Sequence, residues 1–225
     1  MRRFIALILA GILFCPTVSA NSDRKYIAIT FDDGPSGRFT EALLDGLKER
    51  DVHATFFLCG YRLKDYPKLA ARIHQEGHEI GLHGYSHDSM AQMSAQTVRQ
   101  ELKDTLALLP EGCRVRTMRP PGGASAPSVR QVCLEMGLSI ITWSVDPRDW
   151  ATDCVSKIEQ SVMEQAADGD VILMHDMSDS SVEAALYLVD ALSAQGYEFV
   201  TVSQLATLQG FRPEPGEVYG GFFDS

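Results

Sequence analysis

Five short stretches of this chain carry side chains able to do acid–base or metal chemistry. "TFDDGP" holds two adjacent carboxylates, Asp32 and Asp33, and "HGYSH" places His83 and His87 four residues apart. "RPPGG" contributes Arg119, "WSVDPRDW" contributes Asp146 and Asp149, and "LMHD" contributes His175. Two imidazoles and one carboxylate supply three ligands to a divalent ion and leave a position open for water, as in catalytic zinc sites. The same donor set suits mononuclear iron, but Asp32, Arg119 and His175 have no place in that account. His83 and His87 can face one ion if the chain turns helical after Gly84. Adjacent side chains on a strand point to opposite faces, so Asp32 and Asp33 are expected in different surroundings. A carboxylate buried there needs a cationic partner.

These residues share a position because of the elements that carry them. Lys25–Phe31 alternates apolar and polar residues with β-branched Ile27, Ile29 and Thr30, which predicts a strand that Gly34 and Pro35 break. Further strands are predicted at Ala54–Gly60, His78–Gly84, Arg116–Arg119, Leu138–Val145, Asp170–Asp176 and Tyr197–Val202. Stretches with helical apolar spacing follow each strand, including Phe39–Glu49, Tyr66–Glu76, Ser94–Leu109 and Ser181–Gln195. Seven β-α units in succession imply a parallel α/β sheet, either doubly wound or closed as a barrel one unit short of eight. Both architectures put their chemistry at the carboxyl ends of the strands, where Asp32, His83, Arg119, Asp149 and His175 fall.

The ends of the chain are set apart. Arg2 and Arg3 precede an apolar run from Phe4 to Phe14, and "TVSA" ends in a small-x-small pattern, so residues 1–20 are expected to be a cleaved signal peptide. That run is 11 residues, against roughly 20 needed to cross a bilayer. Residues 21–209 are expected to form one catalytic domain and 210–225, rich in proline and glycine, an irregular tail. Without Arg2 and Arg3, the 20 basic residues fall to 18 against 30 acidic ones, a net charge of −12. Such a balance disfavours nucleic acid and anionic surfaces as partners. Export permits disulfides among Cys59, Cys113, Cys133 and Cys154; Cys113–Cys133 closes the shortest loop and is the favoured pairing. His53, His74 and His78 match no ligand position, and Trp143 is expected in the core, with stacking on a sugar as the alternative.

In their order along the chain, "TFDDGP", "HGYSH", "RPPGG", "DPRDW" and "LMH" resemble the five motifs of the polysaccharide deacetylases, carbohydrate esterase family four, over about Tyr26 to Leu208. The resemblance implies a single-domain, distorted (β/α)7 barrel. It implies one divalent ion, zinc or else cobalt, held by Asp33, His83 and His87. It implies Asp32 as catalytic base, Arg119 holding that base, His175 as general acid oriented by Asp149, and Trp150 and Leu173 lining the pocket. The implied substrate is an N-acetylated glycan, first the N-acetylglucosamine units of peptidoglycan. The family also covers chitin oligomers and O-acetylated xylan, and a non-catalytic binder is a further possibility. The implied setting is a secreted or cell-wall-associated monomer, free of the membrane after signal cleavage. Two positions depart from the pattern. Gly84 stands where the family carries Ser or Thr, implying a missing hydrogen bond around the metal. Gly122 stands where tyrosine is frequent, keeping an N–H for an oxyanion but opening the subsite.

Overall fold

From Ile27 onward the first predicted strand is buried on both faces, as only an inner strand of a covered parallel sheet can be. It is strand β1, Lys25–Asp32, of a computed structural model that describes residues 24–223. The predicted signal peptide, residues 1–20, lies outside the described residues. The remaining predicted strands form as β2 (Thr55–Leu58), β3 (Glu79–Leu82), β4 (Thr117–Met118), β5 (Ser139–Ile141), β6 (Val171–His175) and β7 (Tyr197–Phe199). Where an irregular tail is expected, Val218–Tyr219 forms a short strand β8 beside β5, and Phe222 is fully buried. Burying that aromatic ring against Phe211 and Tyr219 anchors the segment despite its prolines and glycines.

The strands pair in parallel in the order β6-β1-β2-β3-β4-β5-β8. β1 is shared: Ala28–Asp32 pairs with β6, while Lys25–Ile27 pairs with β7. Val145, beyond β5, bridges Ile172 of β6, and the Leu173 N–H donates to the Val145 carbonyl at 2.9 Å. The curled sheet is thereby drawn into the distorted α/β barrel that the motif order implies.

Helices α1 (Arg38–Glu49), α2 (Gly60–Asp65), α3 (Pro67–Gln75), α4 (Ala95–Leu106), α5 (Pro127–Met136), α6 (Val155–Gln165), α7 (Asp179–Ala194) and α8 (Val202–Leu208) cover the sheet. α1 buries Leu43, Leu44 and Leu47, and α7 buries Val182, Leu188, Val189 and Leu192, in one cluster with Ile27, Ile29 and Phe31 of β1. Ser94, Ser178 and Thr201 cap the amino ends of α4, α7 and α8 by accepting from backbone N–H groups. All four cysteines in this region are unpaired. The favoured Cys113–Cys133 bridge is absent because the two thiols pack into different clusters, Cys113 with the α1/α7 side and Cys133 with the α4/α5 side. Among the described residues, no helix is long and apolar enough to cross a membrane.

Candidate active site

β1 ends at Asp32, and the next residue leaves the extended conformation: Asp33 has φ 70°. This left-handed step overturns the expectation of opposite faces. It turns the second carboxylate back, and both acids line one cavity of about 440 Å³. Aspartate is among the few residues that occupy this region at modest cost. The cavity lies at the carboxyl ends of the strands and is also lined by His83, His87, Gly122, Trp143, Asp146, Trp150, Leu173 and His175.

Asp33, His83 and His87 offer one ligand atom each within 4.8 Å of one another. Asp33 Oδ1 lies 3.2 Å from His83 Nε2 and 2.9 Å from His87 Nε2. The chain between the histidines is a bend, not the expected helical turn, with Gly84 at φ 79° and His87 at φ 67°. Convergence survives because these two left-handed residues redirect the chain. Asp33 Oδ1 is buried and accepts no well-formed hydrogen bond, an expensive state for a carboxylate oxygen unless a cation faces it. His83 Nδ1 lies 2.7 Å from the Arg119 carbonyl, an acceptor that requires the proton on Nδ1 and leaves the Nε2 lone pair facing the cavity. Burial pushes the Asp33 carboxyl up, but the attraction of the two imidazoles overrides it and holds Asp33 well below the usual carboxylate range. Contact with Asp33 raises the His87 imidazole. The donor set and its field therefore fit a bound divalent ion.

Asp32 sits opposite Phe57 of β2 and His175 of β6 in the sheet register. Its cationic partner is Arg119, fully buried, whose Nη1 donates to Asp32 Oδ1 at 2.7 Å and to Thr30 Oγ1 at 2.8 Å. Arg119 Nε and Nη2 donate to the carbonyls of Ile141 and Thr142, at 3.1 and 2.7 Å. Its guanidinium also lies 4.1 Å over the Phe57 ring. With four acceptors, the arginine is held rigidly and directs one N–H at the carboxylate. Burial lowers its pKa, and Asp32 opposes that shift.

His175 closes β6, and Asp149 holds it at two points. Asp149 Oδ2 accepts from the His175 backbone N–H and Oδ1 from the His175 ring Nδ1–H, both at 2.8 Å. Nε2 is thereby presented to the cavity, 3.9 Å from Asp33 Oδ2. Burial pulls the imidazole down, but the Asp149 bond and charge, reinforced by Asp32 and Asp33, raise it to about 9.

Trp150 is 60% exposed at the cavity mouth, with the Arg148 guanidinium 5.2 Å from its ring. Gly122 has φ 67°, with open space where a Cβ would project. Trp143, expected in the core, instead stands in the cavity wall against Gly123 and beside Arg119. The predicted strand Leu138–Val145 holds Trp143, but β5 ends at Ile141, so the ring falls at the strand-end face with the other site residues. Asp146 both lines the cavity and accepts from the Arg148 N–H at 2.8 Å, as a turn residue does. Asp176 is buried beneath Gly34, bonded to Thr40, and is pushed up to about 6 by burial. His78 is buried, its Nδ1 accepting from the Ala54 N–H.

A curled parallel sheet carrying a His-His-Asp cluster, an arginine-paired aspartate and an aspartate-paired histidine defines a hydrolase-type site. The model of the polysaccharide deacetylase family matches residues 19–141. The chain is 38% identical over 189 residues to the peptidoglycan-N-acetylmuramic acid deacetylase PdaC of Bacillus subtilis, covering 83% of this chain and 40% of that protein. It is 40% identical over 192 residues to the peptidoglycan-N-acetylglucosamine deacetylase PgdA of Listeria monocytogenes, covering 84% of this chain and 41% of that protein. The chain thus spans about two fifths of the length of these two relatives. A family 4 acetyl xylan esterase from Clostridium thermocellum, solved in complex with a cobalt ion, superposes with a TM-score of 0.81 at 31% identity, covering 88% of this chain and 98% of that one. The chain belongs to the polysaccharide deacetylase family.

Proposed function

We propose that this chain is a metal-dependent hydrolase that removes N-acetyl groups from peptidoglycan, acting as a monomer outside the cytoplasm. The observation that carries the reading is the buried, unbonded Oδ1 of Asp33 between two imidazole Nε2 atoms, with Asp32 and His175 on neighbouring strand ends. Asp33, His83 and His87 would hold the ion, zinc in the first instance and cobalt as the other candidate. When bound, a divalent ion polarises the acyl carbonyl and lowers the pKa of water toward about 7.

The chain's own residues supply the rest of the reaction. Asp32, paired with the Arg119 guanidinium, takes a proton from the attacking water. The Gly122 N–H, in the cavity wall, is our assignment for the group that stabilises the developing oxyanion. His175, protonated through Asp149, gives its Nε2 proton to the departing nitrogen, without which an amine anion would have to leave. Trp150, Trp143 and Leu173 provide apolar surface for a sugar ring and exclude water from one side of the bond. The two peptidoglycan-acting relatives differ in the sugar they are named for, and N-acetylglucosamine is our assignment here.

Acetate release from N-acetylglucosamine oligomers, from acetylated xylan and from peptidoglycan tests this reading. Chelator, metal add-back and an Asp33→Ala control accompany each substrate, and mass analysis of digested peptidoglycan locates the sugar deacetylated. Metal-dependent release from glucosamine units is the expected result. An intact, metal-loaded protein that releases no acetate from any of them would refute the enzymatic reading in favour of a glycan binder.

A further inference from the structure

The two histidines of the metal cluster are secured very differently. His83 follows a strand end, is 2% exposed and has its ring fixed through Nδ1 to the Arg119 carbonyl. His87 is 42% exposed, sits at φ 67°, and among the described residues no hydrogen bond reaches its Nδ1. Its position therefore depends on the backbone that delivers it.

That backbone is gripped from two sides. On one side, the N–H groups of Gly60 and Tyr61, at the start of α2, donate to the carbonyls of Gly84 and Tyr85 at 2.9 and 3.1 Å. On the other, a single oxygen of Glu101, projecting from α4, accepts from the Tyr85 N–H (2.7 Å), the Ser86 N–H (2.9 Å) and the Ser86 hydroxyl (3.1 Å). Ser86 Oγ in turn accepts from the Asp88 N–H at 3.1 Å, so the residues flanking His87, Ser86 and Asp88, are both tied to this one carboxylate, Asp88 through the Ser86 hydroxyl. Successive N–H groups folded around an anion form a nest, and bonds to an ionised acceptor are about twice as strong as neutral ones.

The side chain absent at Gly84 gains a physical account here. A Cβ on residue 84 would lie 2.7 Å from Met90 Cε and 3.4 Å from Glu101 Oε2, with φ at 79°. Glycine lets the bend close down on the carboxylate. We infer that Glu101 is a positioning residue for metal binding, fixing His87 through the backbone of residues 85–88 in place of a hydroxyl at residue 84. The inference rests on the metal-site reading above.

The test measures metal binding separately from turnover. Zn²⁺ affinity by chelator competition, the visible spectrum of the Co²⁺ form and the melting temperature of the metal-free form are compared for the parent, Glu101→Ala, Glu101→Gln and Glu101→Asp. Outer groups of this kind alter metal affinity by about 10- to 100-fold, and that loss is expected for Glu101→Ala, with a changed Co²⁺ spectrum. Glu101→Gln keeps an acceptor oxygen and is expected to recover part of the affinity. Glu101→Asp, one methylene short of its donors, is expected to weaken binding even if Glu101→Ala fails to fold. In a His87→Ala background, removing the carboxylate should change the residual affinity by less than about twofold, because the effect passes through His87. Unchanged Zn²⁺ affinity in the folded Glu101 variants, with only a lowered melting temperature, would overturn the inference. So would an equal loss in the His87→Ala background. A parent that binds neither ion would instead overturn the metal-site reading, and this inference with it.

Discussion

Replacing Asp149 with asparagine keeps the shape of the site and removes the charge that holds His175 protonated. The parent imidazole is raised from 6.5 to about 9. At that value about 99% of it carries the proton at pH 7 and about 90% at pH 8. Without the Asp149 carboxylate, burial still acts downward and the charges of Asp32 and Asp33 still act upward; where these balance, the imidazole returns to 6.5 and the protonated fraction falls to about a quarter at pH 7 and about 3% at pH 8. Protonation alone therefore costs about fourfold at pH 7 and about thirtyfold at pH 8 in a step that needs the acid. Asparagine also cannot accept at both 2.8 Å contacts at once, because one of its two side-chain positions is a donor. That misalignment adds a loss bounded by the 10²- to 10⁴-fold that a general acid contributes. The assay is kcat/KM for acetate release from pH 6 to 10 at saturating metal. The ratio of parent to Asp149→Asn should widen steadily between about pH 6.5 and 9. A constant ratio across that window would refute the reasoning. Stability follows the same linkage: a raised His pKa stabilises fully below about 6.5, by on the order of 3 kcal/mol, and the contribution is lost as pH rises through about 9.

Asp33→Ala and His83→Ala should lose metal and activity together; stoichiometric metal in both variants, measured by elemental analysis, would contradict the ligand assignment. Arg119→Leu leaves the Asp32 carboxylate buried without its cation and should lower unfolding free energy by about 3–5 kcal/mol, so an unchanged urea midpoint would argue against the pairing. Trp150→Ala should raise KM for glycan oligomers several-fold with kcat nearly unchanged, because the exposed ring serves binding and not the fold; a selective fall in kcat would assign it to the chemistry. Under native conditions one thiol, Cys154, should label rapidly, since its neighbour Ser156 lowers it while burial raises Cys59 and Cys133. In a protein beginning at residue 21, four labels should appear in denaturant without reductant, and only two would reveal a bridge.

The strands were legible because each of them couples β-branched or apolar runs to a breaker, and seven such runs followed by helical spacing leave little besides a parallel sheet. That Asp32, His83 and His175 meet at one cavity was legible for the same reason: they sit at strand ends, which the pattern locates. The details that failed are those that a period cannot encode. Asp33, just beyond the end of β1, turns left-handed, and no alternation rule anticipates a left-handed aspartate. The bend carrying His87 is shaped by Glu101, a residue on a helix whose sequence announces only its buried stripe. Helix α2 is a six-residue turn, too short for apolar spacing to declare. Strand β8 is held by tertiary burial of Phe222 in a segment whose composition argues for disorder.

The sharing of β1 between β6 and β7 bears on how the molecule comes into being. The strand that carries Asp32 and leads into Asp33 cannot complete its pairing until residues 171–199 are present, so the earliest strand waits for two of the latest. An amino-terminal fragment ending before β6 would hold Asp32, Asp33, His83 and His87 but neither His175 nor the strands β6 and β7 that pair with β1. Such long-range closure slows folding relative to helical or hairpin architectures. On the proposed reading, activity needs residues 171–199 in place as well as the segments that carry Asp32, Asp33, His83 and His87.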